Sequence, residues 1–376
     1  MKKVLIAGTG FSGAVVARQL ALKGYDVTIY EKRSTIAGNM YDELQDNVVV
    51  QIYGPHIFHT SSKKVMDFLE PYVEWFDYKH TVKGYIDGKL VPIPFNLTSL
   101  ETLFDEEKST YIKKILIEEI GLNKKVPIMQ LKRHQDKVIR EFGDYVFEKV
   151  FYHYTCKQWG MEPKDLAPGV MERVPVSVSY EDCYFPNDTY HVMPKGGFTP
   201  IFEKMLNHPN IKVNLNTNIL DVLTFKEDGT YYKGEKFDGD IIYTGCIDEL
   251  FNYQFGKLPY RTLDFKFETH NIPSFQEVSV VNYPNTEDYT RISEFSKFTC
   301  EEQEKTVIVK EYPRAHTLND IPYYPIEIEP NINEYKKYLE LANKYPNLHL
   351  LGRLANYQYI NMDKAILNAL ELVEKL

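Results

Sequence analysis

Cysteine is scarce in this chain, and the four present, Cys156, Cys183, Cys246 and Cys300, lie far apart with no C-x-x-C pairing. That argues against a zinc framework or a disulfide-stapled scaffold and fits a reducing, cytoplasmic compartment. No apolar run approaches the ~18 residues that cross a bilayer. The opening Met1-Lys-Lys-Val-Leu-Ile-Ala-Gly8 is too short an apolar stretch for a signal peptide. Positive charge is also in deficit: 44 Lys and Arg against 53 Asp and Glu give a formal net charge of -9. Nucleic acid and anionic membrane both demand clustered cations, so neither is expected as a partner. An acidic chain that takes a polyanionic ligand must concentrate a few cations locally, which makes individual arginines worth following.

What is present is ordinary globular composition, 43% hydrophobic and 26% charged over 376 residues, enough for two or three interpenetrating lobes. Lys3 to Gly8 is a continuous apolar run of the kind buried on both faces of a parallel sheet. Phe11 to Lys23 follows with helical spacing and a stop at Gly24, and Tyr25 to Glu31 alternates into a second strand. This is a βαβ opening. Val82 to Phe95 reads as a hairpin around Asp87-Gly88. Residues 97 to about 170 carry helical periodicity without strands, and Tyr260 to Pro325 alternates like an antiparallel sheet. The last strand-like piece, His349-Leu-Leu-Gly-Arg-Leu354, runs into a final helix with Ala365, Ile366, Ala369, Leu370 and Val373 on one face. The expected class is therefore α/β. A discontinuous Rossmann-like domain (1–78, 187–248 and 340–376) carries a helical insertion (97–170) and an antiparallel sheet domain (79–96, 171–186 and 249–339).

Gly8-Thr-Gly10-Phe11-Ser12-Gly13 is G-x-G-x-x-G between a strand and a helix. The first glycine makes the turn, the second admits a pyrophosphate, and the third packs helix on strand. The helix start offers free N–H groups to the phosphates, and Glu31 stands where a carboxylate accepts ribose hydroxyls. Gly38-Asn39, shortly after Glu31-Lys32, resembles the second glycine motif of the glutathione-reductase-like flavoproteins, with Ala37 in place of the first glycine. A methyl group there restricts positive φ. Leu351-Gly352-Arg353 before the last helix is the third element of such flavoproteins, its helix start aimed at the flavin pyrimidine. Together these favour FAD over NAD.

Six further segments carry a stronger resemblance: Gly54-Pro-His-Ile-Phe-His-Thr60, Lys157-Gln-Trp-Gly-Met161, Met193-Pro-Lys-Gly-Gly-Phe-Thr199, Tyr289-Thr-Arg-Ile292, Pro322-Tyr-Tyr-Pro325 and Gly352-Arg-Leu-Ala355. In this order they resemble the UDP-galactopyranose mutase family nearly end to end. The resemblance implies reversible ring contraction of UDP-galactopyranose to UDP-galactofuranose with no net redox change. Reduced FAD is required, its N5 attacking the anomeric carbon and expelling UDP.

It also implies roles for particular residues. Arg173 and Arg291 would clamp the diphosphate, where guanidinium forks are the natural partners. Tyr184, Tyr324 and Tyr359 would donate hydroxyls to it, Tyr154 would stack on uracil, and Trp159 would lie beside the sugar. His56 and His59 would bring their loop against the flavin, with Ile57, Arg353 and Met362 completing the cofactor site. Arg173 is expected on a segment that closes over substrate. Asn361 stands where many members carry Asp, and is read chiefly as a cap on the last helix. A homodimer is expected by resemblance. Amine-oxidase- or desaturase-type oxidoreductases, and Rab GDP-dissociation-inhibitor-like binding proteins, share the glycine motifs and form the alternatives.

Overall fold

The computed structural model describes residues 1–162 and 175–376. Five parallel strands form the first sheet, in the order Ile211–Asn214, Asp26–Tyr30, Lys3–Ala7, Asp240–Tyr243 and Leu348–Leu350. Val4 and Ile6 are fully buried there, as their uninterrupted apolar run requires, and so are Val27 and Ile29 of the alternating second strand. The helix Phe11–Leu22 packs against the final helix Met362–Lys375 and against Thr199–Leu206, with Phe11 and Phe202 ring centroids 4.6 Å apart. Lys23 closes it, and Gly24 turns the chain at φ +85°.

The larger sheet has seven strands, ordered Tyr324–Pro325, Tyr260–His270, Thr306–Ala315, Arg291–Glu294, Val280–Asn282, Val82–Ile86 and Lys89–Ile93. The Asp87-Gly88 hairpin forms as expected, both residues at positive φ, the type I′ geometry that matches strand twist. The sheet is not wholly antiparallel, however: Val280–Asn282 runs parallel to Val82–Ile86. A small third sheet, Phe58–Thr60, Tyr190–Pro194 and Trp75–Asp77, joins the histidine loop to the body.

Two more expectations need correction. The stretch 97–170 contains a strand, Lys124–Pro127, paired antiparallel with Pro175–Val178. Its partner lies beyond the helical stretch, so no local periodicity announces it. The last β-strand does not feed the final helix directly; a single helical turn, Gly352–Ala355, intervenes before Met362.

Candidate active site

Two cavities share one wall. The longer is a cleft lined by Gly8, Gly10, Phe11, Ser12 and Gly13 at one stage and by Glu31, Lys32, Gly38 and Asn39 at another. Local sterics explain the glycines. Gly8 has φ +94°, and a Cβ on Gly13 would lie 2.1 Å from the Gly8 carbonyl oxygen. A Cβ on Gly38 would sit 3.0 Å from Gly10 Cα, so the two glycine turns lie backbone to backbone. Ala37 takes the left-handed conformation after all, φ 76°, with its methyl group fully buried. The strain that its side chain was expected to forbid is held by the packing around it.

Glu31 Oε2 accepts from the Thr9 amide at 2.9 Å and the Thr9 hydroxyl at 2.8 Å, which fixes the carboxylate at the cleft. Lys32 Nζ lies 3.6 Å from Glu249. Arg33, a cleft residue the sequence did not single out, donates to Asn39 Oδ1 at 2.8 Å and lies over the Tyr53 ring at 4.0 Å. Its buried Nη1 has no partner among the described residues.

The shared wall is His56, Arg353, Asn361 and Met362. His56 Nδ1 is 2.7 Å from the Gly54 carbonyl, which accepts its proton and leaves Nε2 as an acceptor. Burial first, then the charges of Arg353 and Arg291, push the imidazole down to about 3, so it is neutral. Gly54 has φ +92°, and a side chain there would strike the Phe265 ring. Arg353 donates to the carbonyls of Tyr323 at 3.0 Å and Ile360 at 2.8 Å, and lies over the Tyr359 ring at 4.6 Å. Asn361 occupies the N-cap position of the final helix, but its side chain makes no capping hydrogen bond. The capping role expected for it is therefore absent, and it borders both cavities instead.

The second cavity gathers Ile57, His59, Tyr154, Tyr184, Arg291, Tyr324 and Tyr359 from six separate stretches of sequence. Ile57 borders this cavity rather than the cofactor cleft. His59 is 2.6 Å from Asp188 Oδ2 and stacks on Phe185. Arg291 is oriented by Glu311, Nε to Oε1 at 2.6 Å. Burial opposes its charge, and Glu311, Tyr154 and Tyr324 outweigh burial, holding the guanidinium well above its usual range. Burial likewise raises Tyr154 and Tyr184 and pushes Tyr324 up to about 12, although Arg291 pulls each the other way. The hydroxyls stay protonated and can donate. Trp159 does not border the cavity; it lies behind Tyr324, ring centroids 6.3 Å apart. Arg173, and with it the expected closing segment, lies outside the described residues.

Sequence reasoning missed His80, Asn282 and Glu311. Asn282, Arg291 and Glu311 stand opposite one another on adjacent strands, so they form one transverse row on one sheet face. The Lys157-Gln-Trp motif also gains a structural account. Lys157 Nζ donates to the carbonyls of Tyr283, Glu287 and Tyr289, the loop leading to Arg291, while Arg261 donates to the carbonyls of Lys157 and Gln158.

Comparison with known proteins agrees with this geometry. Residues 149–359 match the family model described as UDP-galactopyranose mutase, and residues 6–72 match the NAD(P)-binding Rossmann-like domain. The chain is 38% identical to the probable UDP-galactopyranose mutase of Klebsiella pneumoniae, over 100% of this chain and 94% of that protein. It is 35% identical to the dTDP-fucopyranose mutase of Escherichia coli, over 100% and 98% of the two chains. A crystal structure of reduced UDP-galactopyranose mutase superimposes with a TM-score of 0.76 at 16% identity, covering 100% and 93% of the two chains, which establishes the shared fold. With a family model over more than half of its length and full-length relatives at these identities, the chain belongs to the UDP-galactopyranose mutase family.

Proposed function

We propose that this chain binds FAD in the longer cleft and, with the flavin reduced, interconverts UDP-galactopyranose and UDP-galactofuranose in the adjoining cavity. The observation that carries the reading is the shared wall of His56, Arg353, Asn361 and Met362, which sets a dinucleotide cleft directly beside a cavity holding an oriented guanidinium.

The residues present fit the cofactor. A Cβ at Gly13 would strike the Gly8 carbonyl inside the phosphate turn, Glu31 supplies the ribose acceptor, and Arg33 Nη1 is a buried donor with no partner among the described residues. Bound and reduced, FAD supplies an electron-rich N5 as nucleophile toward the anomeric carbon. The chain's own part is electrostatic and positional. Arg291, its Nε occupied by Glu311, keeps its terminal nitrogens for the diphosphate and stabilises the charge that UDP gains on leaving. Tyr184 and Tyr324 remain protonated and, with Tyr359, donate to the same oxygens, while the ring of Tyr154 stacks on uracil. Neutral His56 presents Nε2 as a hydrogen-bond acceptor at the wall between cofactor and sugar. Arg173 is proposed as the second guanidinium of the clamp, on the sequence motif alone.

The test is to incubate dithionite-reduced protein with UDP-galactofuranose and separate the nucleotide sugars. UDP-galactopyranose should accumulate with no acceptor consumed. Equal turnover by the oxidised protein without reductant would overturn the reading.

A further inference from the structure

Three histidines border the substrate cavity, and two of them spend a nitrogen inside the chain: His56 on the Gly54 carbonyl and His59 on Asp188. His80 does not. The residue is only 4% exposed, and its buried Nδ1 has no hydrogen-bond partner among the described residues. Nδ1 is closed to the cavity, so the ring meets a ligand through Nε2, which has no hydrogen-bond partner among the described residues either.

The ring is nevertheless held firmly. The His80 carbonyl accepts from the Tyr184 amide at 2.9 Å, and the neighbouring Thr81 bridges Cys183. The imidazole lies near-parallel to Tyr78 and to Phe185, centroids 6.0 Å away in each case, and meets Tyr184 edge-on at 5.7 Å. A polar ring packed in this way, with its hydrogen-bonding capacity unspent, suits a ligand rather than the core. Burial, with Arg291 and His59 adding to it, holds the imidazole neutral at about 3. One nitrogen, Nε2, is therefore left to meet a ligand, and an alcohol can answer it in either tautomer, by donating or by accepting, whereas an ionised phosphate can only accept.

We propose that His80 reads the sugar, hydrogen-bonding one hexose hydroxyl when Arg291 holds the diphosphate. The inference rests on the nucleotide-sugar reading above and adds a specificity-determining residue to it. It bears on a real choice, since the relatives include mutases named for galactose and for fucose, two hexoses that differ in their hydroxyls.

The test measures dissociation constants on the reduced FAD-loaded protein for UDP, UDP-galactopyranose and its 2-, 3-, 4- and 6-deoxy derivatives. Wild type is compared with His80→Phe, which preserves an aromatic ring, and His80→Asn, which restores a donor and an acceptor. His80→Phe should weaken UDP-galactopyranose about tenfold, the scale of one hydrogen bond, and leave UDP unchanged. One deoxy derivative should bind wild type weakly and be indifferent to His80→Phe, and His80→Asn should recover part of the loss. Equal weakening of UDP and of every sugar derivative, or no weakening at all, overturns the proposal. Failure of the mutase reading shows elsewhere, as absence of product from UDP-galactofuranose in the wild type.

Discussion

Arg291 and Glu311 face each other across adjacent antiparallel strands, Nε to Oε1 at 2.6 Å, with the Glu311 side chain only 2% exposed. Arg291→Ala therefore does two things at once. It removes a charged donor from the cavity, which should weaken UDP binding by about 1.5–3 kcal/mol. It also strands a buried carboxylate, a lesion of about 3–5 kcal/mol in stability. The double variant Arg291→Met with Glu311→Gln separates the effects. Thermal denaturation should show stability largely restored, while UDP titration should show affinity still lost. Recovery of both together would mean that Arg291 serves the fold alone.

Lys157 gives all three of its donors to carbonyls of the loop that delivers Arg291. Lys157→Met keeps the length of the side chain and leaves those carbonyls unpaired. The expected outcome is a stability loss of about 1.5–3 kcal/mol, the scale of a hydrogen bond to a charged group, with a rise in KM for the nucleotide sugar. An unchanged KM alongside the lost stability would show that the loop holds Arg291 without help.

How far the sequence reached follows from which constraints are local. The phosphate turn was legible because a strand, three glycines and a helix start are consecutive, and Gly13 answers to the carbonyl of nearby Gly8. The hairpin at Asp87-Gly88 was legible for the same reason. The row Asn282–Arg291–Glu311 was not, because register between three strands is decided by the packing of the whole sheet. Val280–Asn282 lies parallel to Val82–Ile86, a pairing between segments far apart in sequence, and alternation alone carries no direction. His80 gave no signal either: a lone histidine between two strands looks like any other until the cavity beside it is known.

Ala37 tests how much of the second glycine turn is backbone and how much is side chain. It sits at φ 76° with its methyl group buried. A left-handed residue costs about 1–2 kcal/mol, and a buried methyl group returns about 0.8 kcal/mol. Ala37→Gly should therefore shift stability by less than about 1 kcal/mol and leave FAD retention intact. Ala37→Val adds branching where neither the backbone nor the cavity admits it, and should release FAD on gel filtration. Normal flavin content in the valine variant would mean that the turn yields more easily than its packing against Gly10 implies.

The neutral histidines predict an acid-sensitive fold. His80 titrates at about 3 in the folded chain against an ordinary 6.5, its charged form disfavoured first by burial and then by Arg291 and His59. Below pH 6.5 the unfolded chain takes up a proton that the folded chain refuses, so stability is complete above that pH and declines as pH falls toward 3. Between pH 7 and pH 5 this one residue should remove about 2 kcal/mol. His56 acts in the same direction, but its ring opens on the cofactor cleft, so bound flavin governs how much it contributes. The discriminating measurement is urea unfolding of wild type and His80→Phe at both pH values. The variant should be less sensitive to acid by about that amount, and parallel pH dependence in the two proteins would show that the imidazole finds a way to carry its charge inside the fold.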